Sequence, residues 1–97
     1  MSDEDHWRES ALADVERAIT HIGLDSPRNA VEQLGRIEHR VQDLIDHPHM
    51  GRVGRIAGTR ELVVPRTPFV IVYSAVEDVE LIRVLHGAQQ WPPPVES

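Results

Sequence analysis

Residues 59–86 read TRELVVPRTPFVIVYSAVEDVELIRVLH. Three runs within this stretch, 59–65, 68–76 and 79–86, are rich in Val, Ile, Phe and Tyr, which suit a pleated, packed surface. Arg66-Thr67-Pro68 and Glu77-Asp78 are short turn-forming connections, so the runs predict a meander of two antiparallel hairpins. Side chains alternate between the faces of a strand. In the second run Phe69, Ile71 and Tyr73 share one face, and Val70, Val72 and Val76 the other. In the third, Val79, Leu81 and Leu85 stand against Ile82 and Val84. Both faces are apolar, so the sheet needs two covers.

The residues upstream supply one. Leu12, Val15, Ile19 and Ile22 recur at helical spacing, with Ser10 as the expected N-cap and Gly23 as the expected stop. Asp14, Glu16, Arg17 and Thr20 fall off that stripe. Ser26 and Pro27 then open a second helix over 27–46 with the stripe Val31, Leu34, Ile37, Val41, Leu44 and Ile45. His47-Pro48 ends it, because the residue before proline avoids helical torsions. A connection of about four residues makes the two an antiparallel hairpin. A short strand is expected over 4–8, around Trp7. The other face of the sheet must meet a partner or be covered by the loop 47–58 and the proline tail after Trp91. Tyr73 is expected to keep its hydroxyl at a rim, and Trp91 to cap the edge of the core or anchor an interface.

The chain has 97 residues and no cysteine, which gives one domain over 1–97, with 1–5 and 93–97 as expected flexible tails. Disulfides and thiolate metal sites are excluded. A core this small leaves no room for a dinucleotide-sized cavity. No apolar run approaches the length of a membrane span, and the N-terminus is acidic and polar, so the expected address is the cytoplasm. The net charge of −6 argues against a general nucleic-acid binder. All of the imbalance lies in residues 1–50, with 11 acids and 5 arginines. Residues 51–66 carry Arg52, Arg55, Arg60 and Arg66 against Glu61 alone. Both helices are acidic, which sets aside a helix-turn-helix DNA reader despite the similar outline. There is no lysine to act as a general acid or base. His47 and His49 flank Pro48 without a third ligand nearby, so neither a metal nor another cofactor is expected.

The ordered set Trp7-Arg8-Glu9-Ser10-Ala11, Pro48-His49-Met50-Gly51-Arg52, Gly58-Thr59-Arg60-Glu61-Leu62, Pro68-Phe69-Val70-Ile71-Val72-Tyr73 and Arg83-Val84-Leu85-His86-Gly87-Ala88-Gln89-Gln90-Trp91-Pro92 resembles the ParE branch of the RelE/ParE toxin superfamily. The resemblance spans nearly the whole chain. It implies an α+β fold of order β-α-α-β-β-β, with a helical hairpin on one face of a small, mainly antiparallel sheet. It also implies the toxin of a type II toxin–antitoxin module of the plasmid-stabilisation kind, silenced by a cognate antitoxin. ParE-type members are associated with inhibition of DNA gyrase; RelE-type members cut mRNA on the ribosome. Ribonuclease chemistry would draw on Arg60, Arg83 and His86 with Glu61 as base. The missing lysine, the missing C-terminal tyrosine and the acidic balance favour gyrase. An mRNA endoribonuclease and a degenerate toxin that only binds its antitoxin are the alternatives. Contacts to antitoxin or target are expected at Arg52, Arg55, Arg60, Val70, Val72, Ile82, Val84 and Trp91, without membrane association or sequence-specific DNA binding by this chain alone.

Overall fold

The computed structural model describes residues 6–87 and 89–93. Helices α1 (Glu9–Asp25) and α2 (Pro27–Asp46) precede strands β1 (Arg52–Val53), β2 (Arg60–Val63), β3 (Phe69–Ser74) and β4 (Glu80–His86). The strands form one sheet in the order β1-β2-β3-β4, antiparallel throughout, and the helical hairpin packs on one face. The α+β layering is the expected one; its ends differ. Of the strand expected over 4–8, Trp7 alone makes a parallel bridge to Leu81, and residues 4 and 5 lie outside the described residues. The loop 47–58 instead contains β1, which pairs Arg52 with Glu61 and Val53 with Arg60. A two-residue strand is too short to leave a readable period. The two tails expected to be flexible lie outside the described residues, apart from Pro93.

The second helix follows its sequence signals. The Ser26 hydroxyl accepts the Asn29 N–H at 3.1 Å and Pro27 takes the first position. Its buried face is Ala30, Ile37, Val41 and Leu44; Val31 lies off it, 72% exposed. The first helix departs more. It starts at Glu9, so Ser10 lies inside the first turn and does not cap it. Nor does Gly23 stop it: the helix runs to Asp25, which leaves Ser26 as the whole connection. Ala11, Asp14 and Val15 form its most buried face, which places a carboxylate where only apolar groups were expected.

That arrangement closes the outer edge of β4. Arg8 N–H donates to Leu81 O at 3.0 Å, the Ser10 hydroxyl donates to Ile82 O at 2.6 Å, and Val84 N–H donates to Asp14 Oδ2 at 2.9 Å. The side chains of Arg8 and Glu80 pair beside them. These bonds occupy several of the outward polar groups of this edge strand and leave fewer to pair with another chain.

A bulge decides which residues of β4 enter the core. The register runs Ile71↔Val84 and Val72↔Arg83, then Tyr73↔Leu81, so Ile82 is the extra residue. Simple alternation placed Val84 with Ile82 and away from Leu81. The extra residue reverses that, and Val84 joins Leu81, Phe69 and Ile71 under the helices. Leu85 turns to the other face opposite Val70.

Tyr73 is fully buried, not at a rim. Its hydroxyl donates to Pro48 O at 2.8 Å and accepts Gly51 N–H at 2.9 Å, which ties the end of α2 to the start of β1. Burial raises its pKa, against the opposing pull of the Gly51 N–H and the Arg60 charge. A Cβ on Gly51 would stand 2.6 Å from this oxygen and 2.9 Å from Glu61 O, so only glycine fits. Tyr73→Phe leaves a buried N–H and carbonyl unpaired and is expected to cost about 1–3 kcal/mol. Scanning calorimetry should show the melting temperature lower by about 4–8 °C per kcal/mol; an unchanged value would mean the hydroxyl contributes nothing.

Candidate functional site

On the sheet face away from the helices, Glu61, Val72 and Arg83 stand side by side across β2, β3 and β4. Val72 is 0% exposed and Leu85 2%. The chain therefore covers part of this face itself, with the turn after β1 and the segment at Trp91, while Val63, paired with the half-buried Val70, stays 51% exposed. Glu61 anchors the cover. Its carboxylate, with 1% of its side-chain surface exposed, accepts Arg52 Nη2 at 3.0 Å, Arg55 N–H at 3.0 Å and Arg55 Nη2 at 3.1 Å. Burial pushes its pKa up, but these bonds and the Arg55 charge outweigh that and hold it below the ordinary glutamate value. Arg55 Nη1 then donates to Trp91 O at 2.9 Å. The Arg83 guanidinium lies 5.5 Å from the centroid of the Trp91 ring, at cation–π range.

Arg83 is held in turn by Asp14, through Nε at 2.6 Å and Nη2 at 3.1 Å. Asp14 also takes the Val84 N–H and Arg17 at 3.2 Å. Burial raises its pKa; the Arg83, Val84 and Arg17 contacts more than offset it, so the group stays ionised below the usual aspartate range. Beside this pair a cleft of about 500 Å³ opens between α1, α2 and the sheet, with Ala18, Ile22, Phe69 and Val84 among its apolar walls and Arg17, His21 and His86 among its cationic or titratable ones. The His86 ring sits edge-on to Phe69, with centroids 6.1 Å apart.

The four residues considered for catalysis do not converge. Arg83 and His86 share the cleft. Glu61 is buried on the far face and is already occupied by two arginines. Arg60 donates to Gly51 O at 2.9 Å and His49 O at 3.3 Å, on the opposite side of β2 from Glu61. A carboxylate with three donors on it and a depressed pKa is a weak base.

The expected binding residues divide likewise. Arg52 and Arg55 keep 61% and 49% of their side-chain surface exposed, though both are bonded to Glu61. Val70, Ile82 and Trp91 are half-buried. Val72 and Val84 are buried: Val72 lies beneath the chain's own cover, and the bulge carries Val84 to the helix side, where it forms part of the wall of the cleft. Asp14 escaped the sequence reading. It lies three residues after the buried Ala11, and a stripe centred on Ala11 and Val15 would have exposed it. Among the described residues there is no group of three or more His, Cys, Asp or Glu side chains placed to hold a metal, and no helix long and apolar enough to cross a membrane.

The chain is 40% identical over 86 residues to a Sinorhizobium fredii (strain NBRC 101917 / NGR234) protein named "Putative toxin Y4kP", covering 89% of this chain and 90% of that one. The fold resembles a solved chain from the chromosomal ParDE TA system from P. aeruginosa, with TM-score 0.73, 24% identity, and 82% and 90% of the two chains covered. Residues 6–91 match the family described as ParE toxin of type II toxin–antitoxin system, parDE, and the chain belongs to that family.

Proposed function

We propose that this chain is the toxin of a two-protein module, silenced in the cytoplasm by a cognate antitoxin and, when free, an inhibitor of DNA gyrase and so of replication. On a plasmid such a pair would stabilise the replicon. The family membership supports the antitoxin partner. The observation that supports the target is that Glu61, the expected base, is buried and bound by two arginines while Arg60 turns to the opposite side of β2, so the four residues expected for catalysis do not gather around one phosphate. A poison that acts by binding needs surface, not an assembled catalytic centre. The outward sides of Arg52 and Arg55, with Val70, Ile82 and Trp91, supply the antitoxin contact in this reading.

The purified protein should be tested for inhibition of DNA supercoiling by gyrase and, in parallel, for mRNA cleavage on translating ribosomes. The expected result is inhibited supercoiling, relieved by the protein encoded beside it, with intact mRNA. Codon-specific cleavage that is lost in His86→Ala, with the fold retained, would overturn the reading in favour of the ribonuclease.

A further inference from the structure

The turn between β2 and β3 is built around Pro65 and Arg66. Thr67 N–H and Thr67 Oγ1 both bond Val64 O, at 3.3 and 2.9 Å, and Arg66 has φ 61°. Proline followed by a left-handed residue is the pattern of a type II turn, where glycine or asparagine normally takes the second place. A long side chain is strained there.

The Arg66 guanidinium makes no hydrogen bond or ion pair among the described residues. With Arg36, His39 and Arg40 of α2, it lines a cleft of about 530 Å³ at the hairpin tip. Arg36 Nη1 donates to the Arg66 carbonyl at 3.3 Å, and Arg40 Nε to the Val63 carbonyl at 3.0 Å, so the turn holds these two guanidiniums in the cleft that Arg66 also lines. The acids of the cleft are already engaged: Asp43 with Arg40 and Glu32 with Arg28, each at 3.5 Å.

We propose that this cleft is a docking site for the carboxylates of an acidic segment of a partner protein, gripped by Arg66 and Arg36. Guanidiniums match carboxylates in planar pairs. A nucleic-acid backbone fits less well, because Glu32 and Asp43 bound the cationic wall at Arg36 and Arg66, which is enough for one or two carboxylates but too short for a continuous run of phosphates. The site is separate from Glu61, Arg55 and Trp91.

The strain at Arg66 provides the test. Arg66→Gly relieves the backbone and keeps the carbonyl that Arg36 bonds. A merely structural arginine would be dispensable there, whereas a binding one would be missed. The probe is an end-blocked octapeptide of alternating glutamate and leucine, with the glutamine–leucine peptide and a single-stranded DNA dodecamer as controls. Titration is followed through the arginine Nε–Hε resonances. The glutamate peptide is expected to shift Arg36 and Arg66, with affinity falling as salt rises; neither control should shift them. Arg66→Gly should melt higher than the parent yet bind the peptide about tenfold more weakly. Arg66→Gln, which keeps the strain and loses the charge, should bind as weakly without the gain in stability. The proposal is overturned if the peptide causes no shift, if either variant binds as well as the parent, if the DNA binds more tightly, or if Arg66→Gly melts lower.

Discussion

Replacement of Asp14 by alanine is expected to destabilise the protein by about 3–5 kcal/mol, the range seen when one partner of a buried ion pair is removed. This is a large share of the ~5–15 kcal/mol that holds a small domain together. Asp14 accepts two bonds from Arg83, one from Arg17 and one from the Val84 N–H, and alanine leaves the last donor buried at the edge of β4. Urea unfolding followed by circular dichroism measures the loss. Asp14→Asn keeps an oxygen for the Val84 N–H and should lose less. A loss under about 1 kcal/mol for alanine, the scale of an exposed pair, would show that the contact behaves as surface.

The same carboxylate sets the acid limit. Its pKa is lower folded than unfolded, so its contribution is present in full above the ordinary value of 3.8 and is lost as pH falls through the folded value. Glu61 has the same sign, with its contribution present above 4.5 and lost below. Glu61→Gln is expected to cost about 2–4 kcal/mol, because the amide nitrogen faces guanidinium donors inside a buried site. Loss of the anchor should also free the turn after β1. Hydrogen exchange at the Arg55 amide should quicken in the variant, and stability should decline less between pH 5 and pH 3 than in the parent. Parent-like exchange at Arg55 would mean that the backbone, without the carboxylate, holds the turn.

Much of this architecture could be read from residues alone. The bounds of α2 follow from Ser26, Pro27 and His47-Pro48, because each acts on its own neighbours. The three long strands are equally local in origin. Where reading failed, the deciding contact came from far along the chain. Ser10 looks like a cap until Ile82 O claims its hydroxyl, 72 positions away. Gly23 looks like a terminator, yet α1 continues past it to Asp25 beside α2. The bulge at Ile82 exchanges Val84 and Leu85 between faces, and no alternation rule contains it. The arginines after α2 showed their charge in the sequence. Their attachment to a buried Glu61 did not, since that required knowing which face Glu61 takes.

The closure of β4 by the first helix has a bearing on folding order. Asp14 meets Arg83 and Val84, and Trp7 meets Leu81, across some seventy intervening residues. The helical hairpin, joined through Ser26, can form from neighbours alone. The part of its docking surface that receives the first helix does not exist until β4 has been synthesised. Contacts of such long range demand loop-closure entropy before they return any stabilisation, which slows the final step. A nascent chain halted anywhere before residue 80 therefore carries Ala11, Asp14 and Val15 without the strand that buries them, and the assembled surface that any target must recognise appears only at the end.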